Sequence, residues 1–403
     1  VSGGNVIYQG GLVYPSYVGK IRSAENARIL NIQDPDFDPN TSFVDYKPQF
    51  NFMPRLAFSF PISDDAGFFA NYDVLYQRPP SNSFATGLDY YFFEDISRFG
   101  GAPFDNPNLR PVRTIDYEVG FQQKMSESMA MKFSAYYKEM KDLIQQRVLA
   151  NVATPINTYK LFDNLDFGTV KGFSFSLDRR RTNNLEINAT YTLQFADGSG
   201  SDANSSNGIN NRGPIRNLIP LSFDERHRFT AVVDYRYGSG KAYNGPKIGS
   251  LAILEDFGFN LTMFLVSGQP YTRNTTPQSL GGSGFAGSIN GARLPWNFTA
   301  DLNVQKRFPV TISKSSNKKL YFNAYLRVQN VFDIKNVVNL YKYSNDPEND
   351  GFLQSSFGQD RINGVRETGR DVQAFLDAYS WRLLAPGNFT LPRRTYVGVI
   401  MDF

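Results

Sequence analysis

The feature that most limits what this chain can fold into is a strict alternation of apolar and polar side chains, repeated in segment after segment. At 184–195, Leu185, Ile187, Ala189, Tyr191, Leu193 and Phe195 fall on one face of an extended strand, and Asn184, Glu186, Asn188, Thr190, Thr192 and Gln194 on the other. At 128–138, 297–307 and 320–329 the same two-residue period separates Met129, Met131, Phe133, Phe298, Leu302, Phe322 and Leu326 from Lys132, Ser134, Asn303, Gln305, Asn323 and Arg327. Weaker versions run through 54–61, 67–78, 112–124, 169–179, 226–237, 255–267 and 394–403. The pattern predicts about eleven strands of roughly 9–14 residues, longer than the ~5–6 residues usual in globular sheets and long enough for a tilted bilayer crossing.

Such strands also occur in soluble sandwiches and propellers, where the apolar face packs on a second protein layer. Here the other face carries charge in mid-strand, at Glu118, Asp234, Asp301 and Arg327. A large polar lumen accommodates that, so the fold expected is all-β: an antiparallel transmembrane barrel. No run of eighteen apolar residues is present, which excludes a spanning helix and leaves spanning strands untouched.

The connections follow a two-beat rhythm. Tight turns are expected at Ser63-Asp64-Asp65-Ala66, Ser126-Glu127 and Arg181-Thr182-Asn183, and a short connection at 309–317. Between them fall long segments at about 79–111, 141–167, 197–223, 269–296 and 333–391. Outer-membrane barrels have short periplasmic turns at one rim and long extracellular loops at the other. Residues 1–50 then read as the end of an extracellular loop and 51–403 as the barrel strands. Single-chain bacterial barrels have even strand counts, and plugged transporters have twenty-two. Eleven strands that begin and end with an inward crossing therefore predict the second half of a 22-stranded plugged barrel. On this reading the natural N-terminus and the plug domain lie outside the chain, which opens Val-Ser-Gly-Gly without a signal peptide.

The chain has 403 residues, no cysteine, one histidine and a formal charge of +4. Thiolate metal sites, cysteine nucleophiles and disulfides are excluded. The basic residues are dispersed, without the clusters that nucleic acid binding needs. His227 stands at a strand start between Arg226 and Arg228, a poor setting for a catalytic triad. No enzyme activity, catalytic residue, metal site or cofactor is expected. Two acidic stretches, Asp34–Asn40 and Asp346–Gly351, have calcium-like spacing; the second lacks a carboxylate at the twelfth position, where Phe357 stands, and both read as solvated loops.

Several motifs resemble TonB-dependent outer-membrane transporters, particularly the SusC-like, carboxypeptidase-regulatory-like type of the Bacteroidota. They are Asn106-Pro107-Asn108-Leu109-Arg110-Pro111 with Tyr117-Glu118-Val119-Gly120, Asp224-Glu225-Arg226-His227, Ser267-Gly268-Gln269-Pro270-Tyr271-Thr272 and Gln329-Asn330-Val331-Phe332-Asp333. The end of the chain, with Tyr396, Val399, Met401 and Phe403 in alternation, resembles the signal read by the barrel-assembly machinery. The resemblance implies Gram-negative outer-membrane localisation and active uptake of a nutrient such as an oligosaccharide, peptide or siderophore. It also implies a plug, a TonB complex and a surface lipoprotein lid as partners, besides outer-membrane lipid.

Within that frame, loop aromatics Tyr90, Tyr91, Phe92, Phe93, Tyr341, Tyr343 and Trp381 are the candidate solute contacts, because aromatic faces stack on sugars and apolar side chains. The competing role is packing of the loops themselves. Glu118, Asp234, Arg236, Asp301, Arg307 and Arg327 are the candidate lumen- and plug-facing charges. Segment 371–380 reads as a helix, with Val372, Phe375, Leu376 and Tyr379 on one face. A passive porin and a barrel component of an outer-membrane assembly or secretion complex are the alternative functions.

Overall fold

The computed structural model describes residues 6–9, 12–15, 48–79, 103, 109–150, 158–205, 217–313 and 318–402. Eleven strands form one antiparallel sheet: β1 (Arg55–Ser63), β2 (Ala66–Gln77), β3 (Val112–Ser126), β4 (Met129–Ala150), β5 (Thr158–Thr182), β6 (Leu185–Gly198), β7 (His227–Arg236), β8 (Phe257–Val266), β9 (Asn297–Ser313), β10 (Lys318–Gln329) and β11 (Arg394–Asp402). Their order in the sheet is their order in the chain, an uninterrupted meander from β1 to β11. A two-residue strand, Ile219–Pro220, adds to the upper end of β6. Among the described residues no helix is long and apolar enough to cross a membrane.

The register keeps every predicted apolar row on the same face of the sheet. Leu56 pairs with Tyr72, Tyr72 with Tyr117, and Tyr117 with Tyr137. Further along, Phe175 meets Tyr191, Tyr191 meets Phe229, Phe229 meets Leu265, and Leu265 meets Phe298. At the far edge Leu326 pairs with Val397 and Ala324 with Val399. Among the described residues no second layer covers this face: Phe58 is 60% exposed and Val397 79%. A row of bare Phe, Leu and Val across eleven strands is stable only where the surrounding medium is itself apolar.

Two clusters of rings bound the face. At one rim Tyr191, His227 and Trp296 stack at 6.2 and 5.3 Å between centroids, and Phe298 packs on Phe332 at 5.9 Å. At the other Tyr235 stacks on Phe259 at 5.8 Å and meets Tyr237 edge-on at 5.3 Å. The rows of His227 and Tyr235 lie about 26 Å apart along a strand at ~3.3 Å per residue. A tilt of about 40° lowers that to about 20 Å, close to the ~25 Å apolar band of an outer-membrane barrel.

The turns match their sequences. Thr182 pairs with Leu185 around Asn183-Asn184, whose φ values of 51° and 72° are those of a type I′ hairpin turn, which asparagine tolerates best among side-chain-bearing residues. On the polar face three glycines sit beneath a neighbouring ring. A Cβ on Gly120, Gly172 or Gly398 would strike the Phe69, Tyr136 or Tyr325 ring at 2.1, 2.9 and 2.6 Å respectively. Each ring therefore lies flat across the adjacent strand, which closes the gap a glycine leaves in a sheet.

Two connections differ from the sequence reading. Over 141–167, expected as a long loop, β4 continues to Ala150 and β5 starts at Thr158. Bulges at Asp142 and Leu165 break the apolar alternation there, so the period-two signal fades while the hydrogen bonding continues. Over 333–391 the chain forms two helices, α1 (Ser356–Glu367) and α2 (Val372–Leu383). The predicted face of α2 is the packed one, with Tyr379 buried and Val372, Phe375 and Leu376 half-buried. α1 was not foreseen; its sequence, with Gly358, Asn363 and Gly364, carries a weak helical period.

Candidate functional site

The polar face is a charged wall. Beside the Phe69 ring, Lys132 Nζ lies 3.6 Å from Glu118 and 4.4 Å from the ring centroid, and Asn71 Nδ2 donates to Glu118 at 3.2 Å. One register step away Lys138 pairs with Asp116 at 2.8 Å. Asp116, Glu118, Lys132 and Lys138, with Tyr136 and Gln194, line a concavity of about 450 Å³ on β3–β6. Tyr136 donates to Gln194 at 3.2 Å, spanning β5. Lower on the wall, Asp234 is tied to Arg181 at 2.6 Å, to Arg236 at 3.0 Å and to Asn260 at 3.3 Å.

Of the six charges singled out from sequence, Glu118, Asp234 and Arg236 thus enter ion pairs on the polar wall. Arg307 pairs with Asp256 at 3.2 Å where the chain enters β8. Asp301 accepts the backbone N–H of Asn330 at 2.9 Å. Arg327 is exposed on the wall, with no ion pair among the described residues. The wall is thus largely charge-compensated. Glu118 with Lys132, Asp116 with Lys138 and Asp234 with Arg181 and Arg236 neutralise one another across or along neighbouring strands.

At the rim opposite the tight turns, the recognised motifs act as joints. Asp224 is 1% exposed; its carboxylate accepts Ala196 N at 2.9 Å and pairs with Arg293, whose Nη1 also donates to Asp224 O at 2.7 Å. One side chain thereby ties the end of β6, the entry to β7 and the segment after β8. Ser267 exchanges hydrogen bonds with the His227 backbone at 2.8 and 3.0 Å. Gly268 lies where a Cβ would meet Leu294 O at 1.6 Å, so no larger residue fits. Asn330, at φ 52°, donates to Ile334 O and Leu391 O. Arg110 grips the β4–β5 extension through Asp142 at 2.6 Å and Asn164 at 2.7 and 3.0 Å.

Arg293 and Asn164 were not singled out from sequence. Nothing in the chain near either residue marks it, because Asp224, which Arg293 holds, and Arg110, which Asn164 holds, lie sixty-nine and fifty-four residues away.

Above the joints stands a cap made by α1, α2 and the segment before them. Asp350 is 2% exposed; it accepts Phe352 N at 3.0 Å and the Tyr379 hydroxyl at 2.6 Å. Burial and that bond push the Tyr379 hydroxyl up to about 12. Asp346 accepts Glu348 N and Asn349 N, and Glu348 pairs with Lys335 at 2.6 Å. The calcium-like spacing is thus taken up by turn and cap hydrogen bonds, and among the described residues no three His, Cys, Asp or Glu groups converge. The stretch Asp34–Asn40 lies outside the described residues.

Of the candidate solute contacts, Tyr341 donates to Leu383 O at 3.1 Å and holds α2 to the cap. Tyr343 is half-buried against Gly351. Trp381 is 73% exposed on α2. Tyr90, Tyr91, Phe92 and Phe93 lie outside the described residues. Beside α2, a hollow of about 740 Å³ is lined by Ile334, Leu383, Leu384, Phe389 and Pro392, with Lys335 3.8 Å over the Phe389 ring. At the chain's end Tyr396, Val399 and Met401 stand exposed on β11, Val399 and Met401 on the apolar face; Phe403 lies outside the described residues.

On the β4–β5 extension, beyond the apolar band, Asp166 accepts Ser199 Oγ at 2.8 Å while its Oδ2 is buried without a partner. Burial, with Asp202 nearby, raises the Asp166 carboxyl from 3.8 to about 6 against the opposing Ser199 bond.

A meander with one bare apolar face, ring clusters at both rims and a polar opposite face is the wall of an outer-membrane β-barrel. Residues 31–331 match the family described as TonB dependent receptor-like, beta-barrel. The chain belongs to that family, and its place is the Gram-negative outer membrane. No curated protein matches the sequence. Among solved structures it is similar to the ferric-catecholate import receptor Fiu of E. coli K12, at 14% identity and TM-score 0.42, over 70% of this chain and 31% of that one. It is also similar to FpvA of P. aeruginosa bound to heterologous pyoverdines, at 13% and 0.44 over 72% and 30%, and to the outer membrane transporter YddB of Escherichia coli, at 12% and 0.43 over 70% and 37%. The chain thus spans about a third of the length of these proteins.

Proposed function

We propose that this chain is the C-terminal part of the barrel of a TonB-dependent importer, completed by further strands and a plug. The observation that carries the reading is the two-faced meander with two free edges. Among the described residues β1 and β11 each pair on one side only. In hydrocarbon an unpaired backbone group costs several kcal/mol, so a sheet of this kind persists only when other strands cover those edges. A ring of about twenty-two strands leaves a lumen wide enough for a plug. The wall, rich in Ser, Asn, Gln and paired charge, suits a docked protein surface better than a pore that selects ions by rings of unpaired like charge.

Uptake on this reading is driven by a TonB complex acting on the plug. The solute is an oligosaccharide, peptide or siderophore, and the SusC-like motifs favour the Bacteroidota type with a surface lipoprotein lid. Trp381 and the loop aromatics contact the solute; Tyr341 and Tyr343 shape the cap that presents it. The alternating end of β11 serves the barrel-assembly machinery.

The test uses the full-length gene product. Uptake of labelled oligosaccharide, peptide and ferric-siderophore pools should stop when an uncoupler collapses the inner-membrane proton gradient, and the reconstituted protein should be nearly silent in planar bilayers. Steady conductance with uncoupler-resistant uptake would instead make the barrel a passive porin. Recovery as a stoichiometric complex with secretion or assembly components, without uptake, would make it part of that machinery.

A further inference from the structure

At the tight-turn rim the connections at Asp64-Asp65, Glu127-Ser128 and Asn183-Asn184 are two residues long. The connection between β7 and β8 is built differently. Residues 237–256 fold into a knob around Tyr243, which is 7% exposed; its hydroxyl donates to Pro246 O and accepts from Leu254 N at 3.2 Å. Asn184 Nδ2 donates to Asn244 Oδ1 at 2.6 Å, and Gly240 N to Glu255 Oε1 at 2.6 Å. The knob ends in a tiny hairpin, Lys247–Ile248 against Leu251–Ala252, turned by Gly249 at φ 60°. Its tip is apolar and bare: Ile248 is 71% exposed and Leu251 68%.

The knob is fastened to the apolar side of the sheet. Tyr235 is in register with Leu185 and Phe259 on that face. Its ring leads to Tyr237, and Tyr237 packs on Tyr243 at 5.7 Å, so a ladder of rings descends from the apolar belt into the knob. Lys306, opposite Phe257 on the same face, donates to Ile253 O. The two acids of the knob are engaged, Glu255 by Gly240 N and Asp256 by Arg307. Lys241 and Lys247 are exposed and have no carboxylate partner among the described residues.

We propose that this knob is a membrane-surface anchor for the phospholipid leaflet at the tight-turn rim, seating Ile248 and Leu251 among acyl chains while Lys241 and Lys247 meet lipid phosphates. The proposal rests on the outer-membrane reading above. Three observations converge on lipid as the occupant. The patch is continuous with the lipid-facing belt through the ring ladder. Its free charges have the sign that phosphates attract. And lysine at such a rim can lay its alkyl stem on apolar surface while its ammonium reaches headgroups. The consequence is a fixed depth for β7 and β8, the strands that the Asp224–Arg293 joint clamps at the opposite rim.

The chain has no cysteine, so single nitroxide labels can be placed on it in a full-length background whose cysteines elsewhere, where present, are replaced by serine. The full-length protein, folded into phosphatidylglycerol-containing vesicles, would carry Ile248→Cys, Leu251→Cys, Asp64→Cys as the aqueous reference or Val399→Cys as the belt reference. Collision with dissolved oxygen and with a water-soluble nickel chelate is measured for each, after a gel shift has shown that each barrel is folded. The anchor predicts an oxygen-to-nickel ratio at 248 and 251 several-fold above that at 64, and a several-fold loss of that difference in a Lys241→Glu/Lys247→Glu background. Nickel access at 248 and 251 equal to that at 64 overturns the anchor alone. Exclusion of both reagents there means a protein surface covers the knob, which also overturns it. Nickel access at 399 would bring down the barrel reading itself.

Discussion

The Arg181 guanidinium at the foot of β5 lies 2.6 Å from the Asp234 carboxylate on β7, reaching over β6 and meeting Glu186 on the way at 2.8 Å. One cation thus staples three strands on the polar wall. Asp234 in turn faces two guanidinium groups, so its removal leaves like charges side by side. Asp234→Ala should destabilise the folded barrel by about 2–3 kcal/mol and Arg181→Met by about 1–2 kcal/mol, within the range of charged hydrogen bonds. The urea midpoint of the heat-modifiable gel shift reads both, with Asp234→Ala the larger.

The rings laid over glycines make a second prediction. Gly172→Val must displace the Tyr136 ring and meets Leu193 O, where a Cβ would stand at 2.4 Å. Overpacking of this kind costs typically ~1–3 kcal/mol. Gly364→Ala, on α1 with nothing within 4 Å of the new Cβ, should instead stabilise the cap by ~0.5–1 kcal/mol. Unfolding of the two variants, followed by the same gel shift and by protease clipping of the cap, checks the opposite signs.

Asp166 sets a pH dependence on the β4–β5 extension. Its carboxyl is raised from 3.8 to about 6, mainly by burial. A raised carboxyl favours the protonated folded form. The stability it lends is therefore complete below the ordinary value and is lost as the pH rises through about 6. Amide exchange at Phe167, whose N–H is held by Ser199 Oγ at 3.0 Å, should be slower at pH 4–5 than at pH 7 after correction for the intrinsic rate. Asp166→Asn should abolish that difference.

For the cap, Trp381→Ala should weaken solute binding several-fold, without change in the unfolding midpoint, since the ring is exposed. Tyr341→Phe, which loses the bond to Leu383 O, should loosen the cap to protease while retaining most of the affinity. Binding isotherms beside proteolysis rates separate the two roles.

Where the sequence could be read, one physical rule was at work. Each spanning strand alternates because its two faces meet different surroundings, so Leu185–Phe195 and Leu320–Val328 announce both their extent and their face. The rule fails where both sides of a strand are wet or packed. Leu143–Ala150 and Thr158–Asp166 are paired strands without the alternation, and a loop was expected there. The joints were visible only as motifs: Asp224 stood out beside His227, but its partner Arg293 is sixty-nine residues further on. The cap was half legible, since α2 has one apolar face while α1, interrupted by Gly358 and Gly364, has little. The knob at 237–256 carries no periodic signal, and its polar-looking sequence conceals the exposed Ile248 and Leu251.

The central claim is that the apolar face of the sheet meets hydrocarbon and the polar face meets water or plug. The most direct measurement places single cysteines at each position from Asn260 to Leu265 on β8, in the full-length protein embedded in vesicles, and records reaction with a small water-soluble maleimide. The account predicts a two-residue period, with Asn260, Thr262 and Phe264 positions reacting and Leu261, Met263 and Leu265 positions protected until denaturant unfolds the barrel. Equal reactivity at all six positions would place water on both faces of the strand and contradict it.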